Sequence, residues 1–256
     1  MQRDHMVRSN LLSQKARIVV IGAGGNGSAM LAALATLNHA IRELGHPGLE
    51  VTAIDGDTVS PSNVGRQGFW PCDVGQFKTD VLIQRINMGF GTQWRSLPYM
   101  FDGNNVDVYR TDMVISCVDS RRARSLIVKS FKQGYYMDLG NNAATGQVVL
   151  GEFGKSHGRD NRLPHAVDLF PEIADTTLPE DDQPSCSMAE ALEKQNLFIN
   201  RMIAGWASEL LWQMFRNGKL SFHGNFVNLT SGRVAPIPVD EEVWSRMGYA
   251  PVQKAA

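Results

Sequence analysis

A β-branched run that meets a glycine-rich turn constrains this chain more than any other feature. Residues 17–21 read Arg-Ile-Val-Val-Ile, residues 22–27 read Gly-Ala-Gly-Gly-Asn-Gly, and an alanine- and leucine-rich stretch follows from Ser28 to Leu44. This order predicts a strand, a turn and a helix, as in an open α/β sheet. The turn fits the G-x-G-x-x-G pattern, in which backbone N–H groups at the start of a helix receive a phosphate. The pattern alone also fits a tight turn that serves only helix-on-sheet packing.

The composition predicts a globular chain without a strongly charged surface. Of the 256 residues, 43% are apolar and 20% are charged, which is enough for a full core. Lys and Arg number 25 against 26 for Asp and Glu, so the charge balance gives no basic footprint for nucleic acid or a membrane surface. No stretch approaches the roughly 18 apolar residues of a spanning helix. We therefore expect no nucleic acid and no membrane among the partners.

The cysteines and the amino terminus bear on compartment and metal. Cys72, Cys117 and Cys186 are odd in number and far apart, which excludes a disulfide framework and the CxxC pairs of a structural zinc site. The first 20 residues carry scattered charges and lack the apolar run of a signal peptide. We expect a cytoplasmic protein with no structural zinc, in which Cys72 and Cys117 are structural.

Further apolar runs predict the rest of the sheet. Leu49–Ile54 and Asp112–Val118 predict strands that end at Asp55 and Asp119. Each strand thus places an acidic group at the carboxyl edge, where open α/β sheets bind ligands. Helices are expected at 78–88 and about 121–133, and strands at 93–100, 135–139 and 146–153.

The carboxy-terminal third changes character. Residues 163–186 alternate prolines with Asp and Glu and contain no Lys or Arg, which predicts an extended acidic loop. Apolar residues from Met188 to Met214 recur at steps of three, four or seven, which predicts a long helix with one apolar face. Residues 224–238 predict a hairpin around Thr230-Ser231-Gly232.

Polar residues follow the glycine turn in a fixed order. Asp55 and Asp57 come first, then the stretches Asn63-Val-Gly-Arg66-Gln67, Val-Gly-Gln-Phe-Lys78 and Cys117-Val-Asp119. An NAD(P)-dependent oxidoreductase explains the glycines and the ribose-binding position of Asp55, so it stays an alternative. That alternative assigns no role to Arg66, Lys78 and Asp119.

Over about residues 15–155, these motifs resemble the adenylating domain of the ThiF/MoeB/E1 superfamily, whose members activate the carboxyl terminus of ubiquitin-like and sulfur-carrier proteins with ATP. Pro184-Ser185-Cys186 before a long helix, and a hairpin ending Val-Ala-Pro-Ile-Pro, are similar to the ThiF-type member of the PRTRC cassettes. The resemblance implies a Rossmann-like α/β fold whose mostly parallel sheet continues into antiparallel carboxy-terminal strands. It also implies one domain over residues 1–256, with a nucleotide-binding part (15–155), a crossover loop (156–186) and a helix and hairpin (187–256).

The resemblance implies an ATP site with Mg²⁺. Adenylation brings anions together, so cations and a metal must neutralise the developing charge. The nucleotide would be bound by Gly22, Gly24, Gly25, Gly27, Asp55, Asp57, Asn63, Arg66, Gln67 and Lys78, with Asp119 as the metal ligand. The catalytic residues would be Arg66, Lys78, Asp119 and Cys186. Judged locally, Asp57 equally fits a loop cap and Gln67 a support of the fold.

Cys186 and the amino-terminal arginines carry the remaining implications. A helix amino end after Cys186 would favour a thiolate that takes the activated carrier, although an incidental cysteine fits equally well. Related enzymes complete the site with an arginine from the partner subunit, which makes Arg3 and Arg8 candidates in a homodimer. A disordered cationic tail is the alternative, and in either case we expect residues 1–10 to bury little and to be dispensable for folding.

The implied partner is a β-grasp carrier protein that ends in glycine, with an E2-like conjugating protein as a further candidate. A non-catalytic E1-like scaffold that binds the carrier without turnover is the second alternative. An adenylating dehydratase acting on tRNA would need a basic surface, and the balanced charge of 25 against 26 gives none.

Overall fold

The computed structural model describes residues 3–154, 162–179 and 193–249. In chain order its strands are β1 (His5–Met6), β2 (Ala16–Ile21), β3 (Leu49–Ile54), β4 (Arg95–Leu97), β5 (Met113–Ser116), β6 (Tyr135–Asn141), β7 (Thr145–Glu152), β8 (Lys219–Leu220), β9 (Phe222–Asn228) and β10 (Arg233–Pro238). Its helices are α1 (Ser9–Ser13), α2 (Gly25–Glu43), α3 (Lys78–Phe90), α4 (Arg121–Ser130), α5 (Ala166–Leu169), α6 (Ile199–Asn217) and α7 (Glu241–Arg246).

Eight strands form one sheet in the order β10-β9-β7-β6-β5-β2-β3-β4. The pairs from β4 to β6 are parallel, and β7, β9 and β10 extend the sheet with antiparallel pairs. The chain runs from β2 outward to β3 and β4 and then returns to β5 on the other side of β2. This reversal opens a crevice at the carboxyl ends of β2 and β5, the usual ligand site of such sheets. The predicted mixed sheet is confirmed.

The two faces of the sheet carry different layers. On one face, α2 and α6 pack against each other and against the apolar side chains of β2, β3 and β6. On the other face, Ile127 of α4 packs with a run of aromatic rings in which Phe101, Phe131 and Phe153 stack in turn. Because both faces are covered, the central strands are largely apolar, as in β2, where Ile18 to Ile21 are all buried.

The acidic segment is folded over its described part, 163–179. Leu163, Ala166 and Leu169 recur every three residues and are buried in a cluster with Trp244 of α7. The side chain of His165 caps α5 by accepting a hydrogen bond from the Asp168 N–H. The prediction of an extended loop is therefore wrong for 163–179, because the apolar residues between the acids supply a face that packs on the antiparallel strands. The rest of that loop, with Cys186, lies outside the described residues.

The amino terminus is part of the fold, which corrects the expectation of an arm that buries little. Strand β1 pairs with β8, and Val7 and Leu11 are buried in the main core. Arg8 donates from Nε to Glu152 Oε1 at 3.0 Å and lies over the ring of Tyr135. These contacts are made by residues that follow no apolar period, so the sequence pattern did not reveal them.

Element boundaries differ from the predictions where local polar contacts intervene. The helix predicted from Met188 is interrupted at 195–198: positions 193–194 are helical, a turn follows in which Asn196 Oδ1 accepts from the Phe198 N–H, and α6 then begins at Ile199. Positions 188–192 lie outside the described residues. The strand expected at 93–100 shortens to the three residues of β4. No helix within the described ranges has both the length and the apolar character needed to cross a membrane.

Candidate functional site

The glycine turn begins where β2 ends. Some of its glycines permit close backbone packing, and another borders open space. Gly22 has φ +92°, and a Cβ there would lie 2.7 Å from the carbonyl oxygen of Cys117. A Cβ on Gly27 would overlap the carbonyl oxygen of Gly22. These two glycines permit close packing. A Cβ on Gly24 would meet nothing within 4 Å, and no side chain caps the amino end of α2. The space beside Gly24 is therefore open to a ligand.

Asp55 ties the strand edge to the glycine turn. Its Oδ2 accepts from the Ala23 N–H at 2.6 Å, and its Oδ1 accepts from the Asp57 N–H at 2.8 Å. Burial raises the pKa of Asp55, and the nearby Lys78 ammonium opposes that shift. A carboxylate offers about four lone-pair sites. Two are occupied, so Asp55 retains capacity for a sugar hydroxyl.

Lys78 is held beside the same loop. Its Nζ lies 2.8 Å from Asp57 Oδ2, and its side chain is only 9% exposed, whereas that of Asp57 is 51% exposed. The Lys78 N–H also donates to the Asp57 carbonyl at 3.0 Å. Asp57 therefore does more than cap its own loop, because it orients a buried ammonium at the first residue of α3.

Three predicted residues come from one loop. In the 3₁₀ turn Pro61–Asn63, Asn63 Oδ1 accepts from the Ser60 N–H at 2.9 Å, so the amide oxygen is engaged and the amide nitrogen is the donor that Asn63 has left. Gln67 Oε1 is buried without a hydrogen-bond partner. Arg66 Nε is also buried without a partner, while its Nη1 donates to Gln195 Oε1 at 2.5 Å. Burial lowers the pKa of Arg66.

Asp119 follows β5, and its side chain is exposed. Its backbone carbonyl is held by a buried arginine. Arg124 Nη1 donates to the Asp119 carbonyl at 3.0 Å, and Arg124 Nε donates to the fully buried carboxylate of Asp138. Tyr136 donates its hydroxyl to the same carboxylate at 2.8 Å. Sequence reasoning missed this support for Asp119, although an arginine five residues after an acid at a strand end was a visible signal.

The donor atoms near the site bear on the predicted Mg²⁺. Within 3–154, 162–179 and 193–249, no group of three or more His, Cys, Asp or Glu could hold a metal ion. Mg²⁺ is usually bound by one or two carboxylates together with substrate phosphates, rather than by a cage of protein ligands. The exposed Asp119 follows Cys117, whose carbonyl lies against Gly22, and it fits that mode. It would bring the ion's charge to the phosphates.

The two cysteines in the described ranges differ in environment. Cys117 lies at the end of β5 against the glycine turn, and burial raises the pKa of its thiol. Cys72 is exposed on the 3₁₀ turn Pro71–Asp73. It is therefore not part of the core, and its Sγ lies 3.8 Å from Asp73 Oδ1. No sequence pattern separates the two cysteines, because the exposure of each depends on what packs against its segment.

A cavity of about 610 Å³ lies away from this edge. Its lining includes Arg17, Thr52, Arg95 and Arg110 and contains none of the predicted site residues. The candidate site residues therefore lie outside this cavity, at the carboxyl edge of the sheet.

The sequence profile of the ThiF family matches residues 9–239. The chain belongs to the ThiF family. No curated protein matches it. Among solved structures, the ThiF-family chain is similar to PaaA, with 14% identity, a TM-score of 0.56, and coverage of 88% of this chain and 73% of PaaA.

Two structures of E. coli MccB are also similar. For MccB with ATP the identity is 17% and the TM-score 0.56, over 93% of this chain and 65% of MccB. For MccB alone the identity is 15% and the TM-score 0.57, over 88% of this chain and 63% of MccB. This chain thus spans less than two thirds of MccB. At such low identities these TM-scores establish the fold alone, a ThiF-like, Rossmann-like α/β sheet.

Proposed function

We propose that this ThiF-family protein uses ATP and Mg²⁺ to adenylate the terminal glycine carboxylate of a small ubiquitin-like or sulfur-carrier protein. The supporting observation is a chain of contacts along one sheet edge. Lys78 Nζ donates a hydrogen bond to Asp57 Oδ2, and the Asp57 N–H donates to Asp55 Oδ1. Asp55 Oδ2 in turn accepts from the Ala23 N–H in the glycine turn. Cations, an acceptor for ribose and open space for phosphate therefore lie together.

Each step of this reaction has a candidate residue in the site. A carrier carboxylate oxygen forms a bond to the α-phosphorus, the bond to the bridging oxygen breaks, and pyrophosphate leaves with the electron pair. Arg66 and Lys78 would stabilise the negative charge on the transferring and leaving phosphates. Asn63 and Gln67 would orient them, and Asp55 would fix the ribose. Mg²⁺ on Asp119 would supply further charge neutralisation when bound.

The decisive assay is exchange of labelled pyrophosphate into ATP, with a glycine-terminated β-grasp protein as the carrier. Wild type is expected to show carrier-dependent exchange, and Asp119→Ala is expected to lose most of it. Undiminished exchange in the variant would remove Asp119 from the metal role. Thermal stabilisation by NAD and not by ATP would contradict the proposal as a whole. Binding of ATP and carrier without exchange would instead identify a non-catalytic scaffold.

A covalent second step is proposed at Cys186. Its thiolate would attack the acyl carbon of the adenylate, form a thioester and release AMP. An intact protein mass is expected to show a reductant-sensitive carrier adduct that Cys186→Ala removes, with exchange retained because adenylation comes first. An adduct on Cys72 or Cys117 would assign the thiol elsewhere. Such a thiol requires the reducing compartment expected of a cytoplasmic protein.

The proposed partners follow from the same chemistry. A β-grasp carrier would present its tail to the crevice, and an E2-like protein would receive it if conjugation is the outcome. A homodimer is proposed by analogy with related enzymes that share an arginine between subunits. In the described chain, Arg8 and Arg3 contact Glu152 and Glu241 of their own chain, so a role on the neighbour would require these ion pairs to open.

A further inference from the structure

Arg66 differs from other partly buried cations in the kind of group it meets. Five cations in the described chain each have a carboxylate oxygen within 3.0 Å: Arg8, Lys78, Arg85, Arg124 and Arg162. Arg66 meets an amide instead, because its Nη1 donates to Gln195 Oε1 at 2.5 Å. Its Nε is buried and has no hydrogen-bond partner. The Gln195 contact therefore orients the guanidinium without neutralising it.

The backbone around Gln195 is anchored. The N–H of Asn196 donates to the Ala143 carbonyl at 2.7 Å, in the turn between β6 and β7. Asn200 Nδ2 lies 3.4 Å from Gln195 Oε1, so the same oxygen faces Asn200 as well as Arg66. An anchored main chain and two donors leave the Gln195 amide little freedom. It is therefore a fixed acceptor for Arg66.

The same contacts bring Arg66 to the glycine turn. Asn200 is 3% exposed in the first turn of α6, and its side-chain amide occupies the place that a Cβ on Gly25 would take. Helices α2 and α6 have 19 residues each, and their amino ends meet at this point. Gln195 thus holds the Arg66 cation beside the amino ends of α2 and α6. The cation and both helix ends favour a bound anion.

We propose that Gln195 is a positioning residue for the phosphate site, whose neutral amide orients Arg66 over the amino end of α2 and keeps its charge available for phosphate. The inference rests on the proposed function. A partly buried cation without an anionic partner costs free energy, and a phosphate would offset that cost. A carboxylate at position 195 would satisfy Arg66 equally well but would repel the phosphates.

The test compares Gln195→Glu, an isosteric change, with Gln195→Ala, and measures the dissociation constants of ATP, ADP and AMP with Mg²⁺ by calorimetry. Gln195→Glu is expected to weaken ATP about tenfold, ADP less and AMP least, because the repulsion grows with phosphate charge. Gln195→Ala is expected to weaken ATP about threefold, because it loses orientation but adds no charge. Gln93→Glu, an exposed glutamine before β4, is the matched control and is expected to bind as wild type does.

The outcomes separate this inference from the function on which it rests. Equal weakening of all three nucleotides, or a larger loss in Gln195→Ala than in Gln195→Glu, would show a merely structural role and overturn the inference. The same holds if Gln195→Glu, or Arg66→Ala, binds ATP as tightly as wild type does. Wild-type protein that binds no ATP at all would overturn the proposed function first, and this inference with it.

Discussion

The two ends of the sheet treat buried polar groups differently. At the antiparallel end, His223 Nδ1 donates to the Leu150 carbonyl, and His223 Nε2 accepts from the indole N–H of Trp244. At the crevice, Arg66 Nε, Gln67 Oε1 and Asn26 Oδ1 are buried without hydrogen-bond partners. Among the described residues of β9, Asn225 Nδ2 is the one exception, because it too is buried without a hydrogen-bond partner.

The difference teaches where function is to be expected. An unpaired buried polar group costs about 1–3 kcal/mol, so native structures retain such groups mainly where something else satisfies them. The crevice carries several in a region that also has open space at Gly24. The antiparallel end satisfies its groups internally, which makes that end a structural support. Changes at the crevice should therefore affect nucleotide chemistry, and changes at the antiparallel end should affect stability.

The largest effect is expected at the crevice from Lys78→Met, which keeps the buried stem and removes the charge. Pyrophosphate exchange should fall by about two to three orders of magnitude, because a cation aimed at developing charge is lost. The melting temperature should change little, since Asp57 is half exposed and can be solvated. Lys129→Met, on the exposed side of α4, is the control and should retain exchange. Equal losses in both variants would break the comparison.

The next effect concerns pH at the antiparallel end. Burial lowers the pKa of His223 to about 4, so the folded state holds it neutral. His223 therefore contributes fully to the free energy of unfolding above its ordinary pKa of about 6.5. That contribution is lost as the pH falls toward 4, by about 3 kcal/mol in total, because the unfolded state takes up the proton first. Burial also lowers the pKa of His165, which adds in the same direction.

Urea unfolding at a series of pH values measures this dependence. The variant His223→Gln isolates the share of His223, because it cannot titrate in this range while His165 still does. The slope of unfolding free energy against pH should be clearly smaller in the variant. Identical slopes would mean that His223 is protonated in the native state or solvated, and the antiparallel end would not be the closed structure described.

A third effect tests whether the amino terminus belongs to the structural support. Arg8→Ala would leave Glu152, whose side chain is only 5% exposed, without its cation. The unfolding free energy should fall by about 2 kcal/mol. Arg3→Ala removes a largely exposed pair with Glu241 and should cost less than about 0.5 kcal/mol. If Arg8→Ala keeps full stability but loses exchange in a dimeric protein, Arg8 acts on the neighbouring subunit instead.

The smallest effect is expected from Gly24→Ala. The Cβ enters open space and φ is −74°, outside the left-handed region, so any cost to stability comes only from ψ, which at −143° lies outside the usual β and α ranges. If that space receives phosphate, the KM for ATP should rise about tenfold, or about 1.4 kcal/mol. Gly89→Ala, which also meets nothing within 4 Å, is the matched control on α3. Unchanged ATP kinetics in Gly24→Ala would show that the nucleotide does not approach Gly24.

The parallel half of the fold followed from local pattern. A short β-branched run, a turn of small residues and an amphipathic helix depend on neighbours in sequence, so β2, the turn and α2 lie where they were predicted. The acids at strand ends were predictable for the same reason, since parallel strands end at one edge. The segment 163–179 was not, because its acidic residues concealed a buried face that only packing reveals.

The sequence by itself determined the layered α/β fold and the residue types of the candidate site. Tertiary structure decided which partner each site residue has. Arg66 meets Gln195 across 129 positions, and Arg8 meets Glu152 across 144. No period or motif encodes such pairs, because they depend on how distant elements pack. Whether a cation meets a carboxylate or an amide, and so whether its charge stays available for a ligand, is settled only at that level.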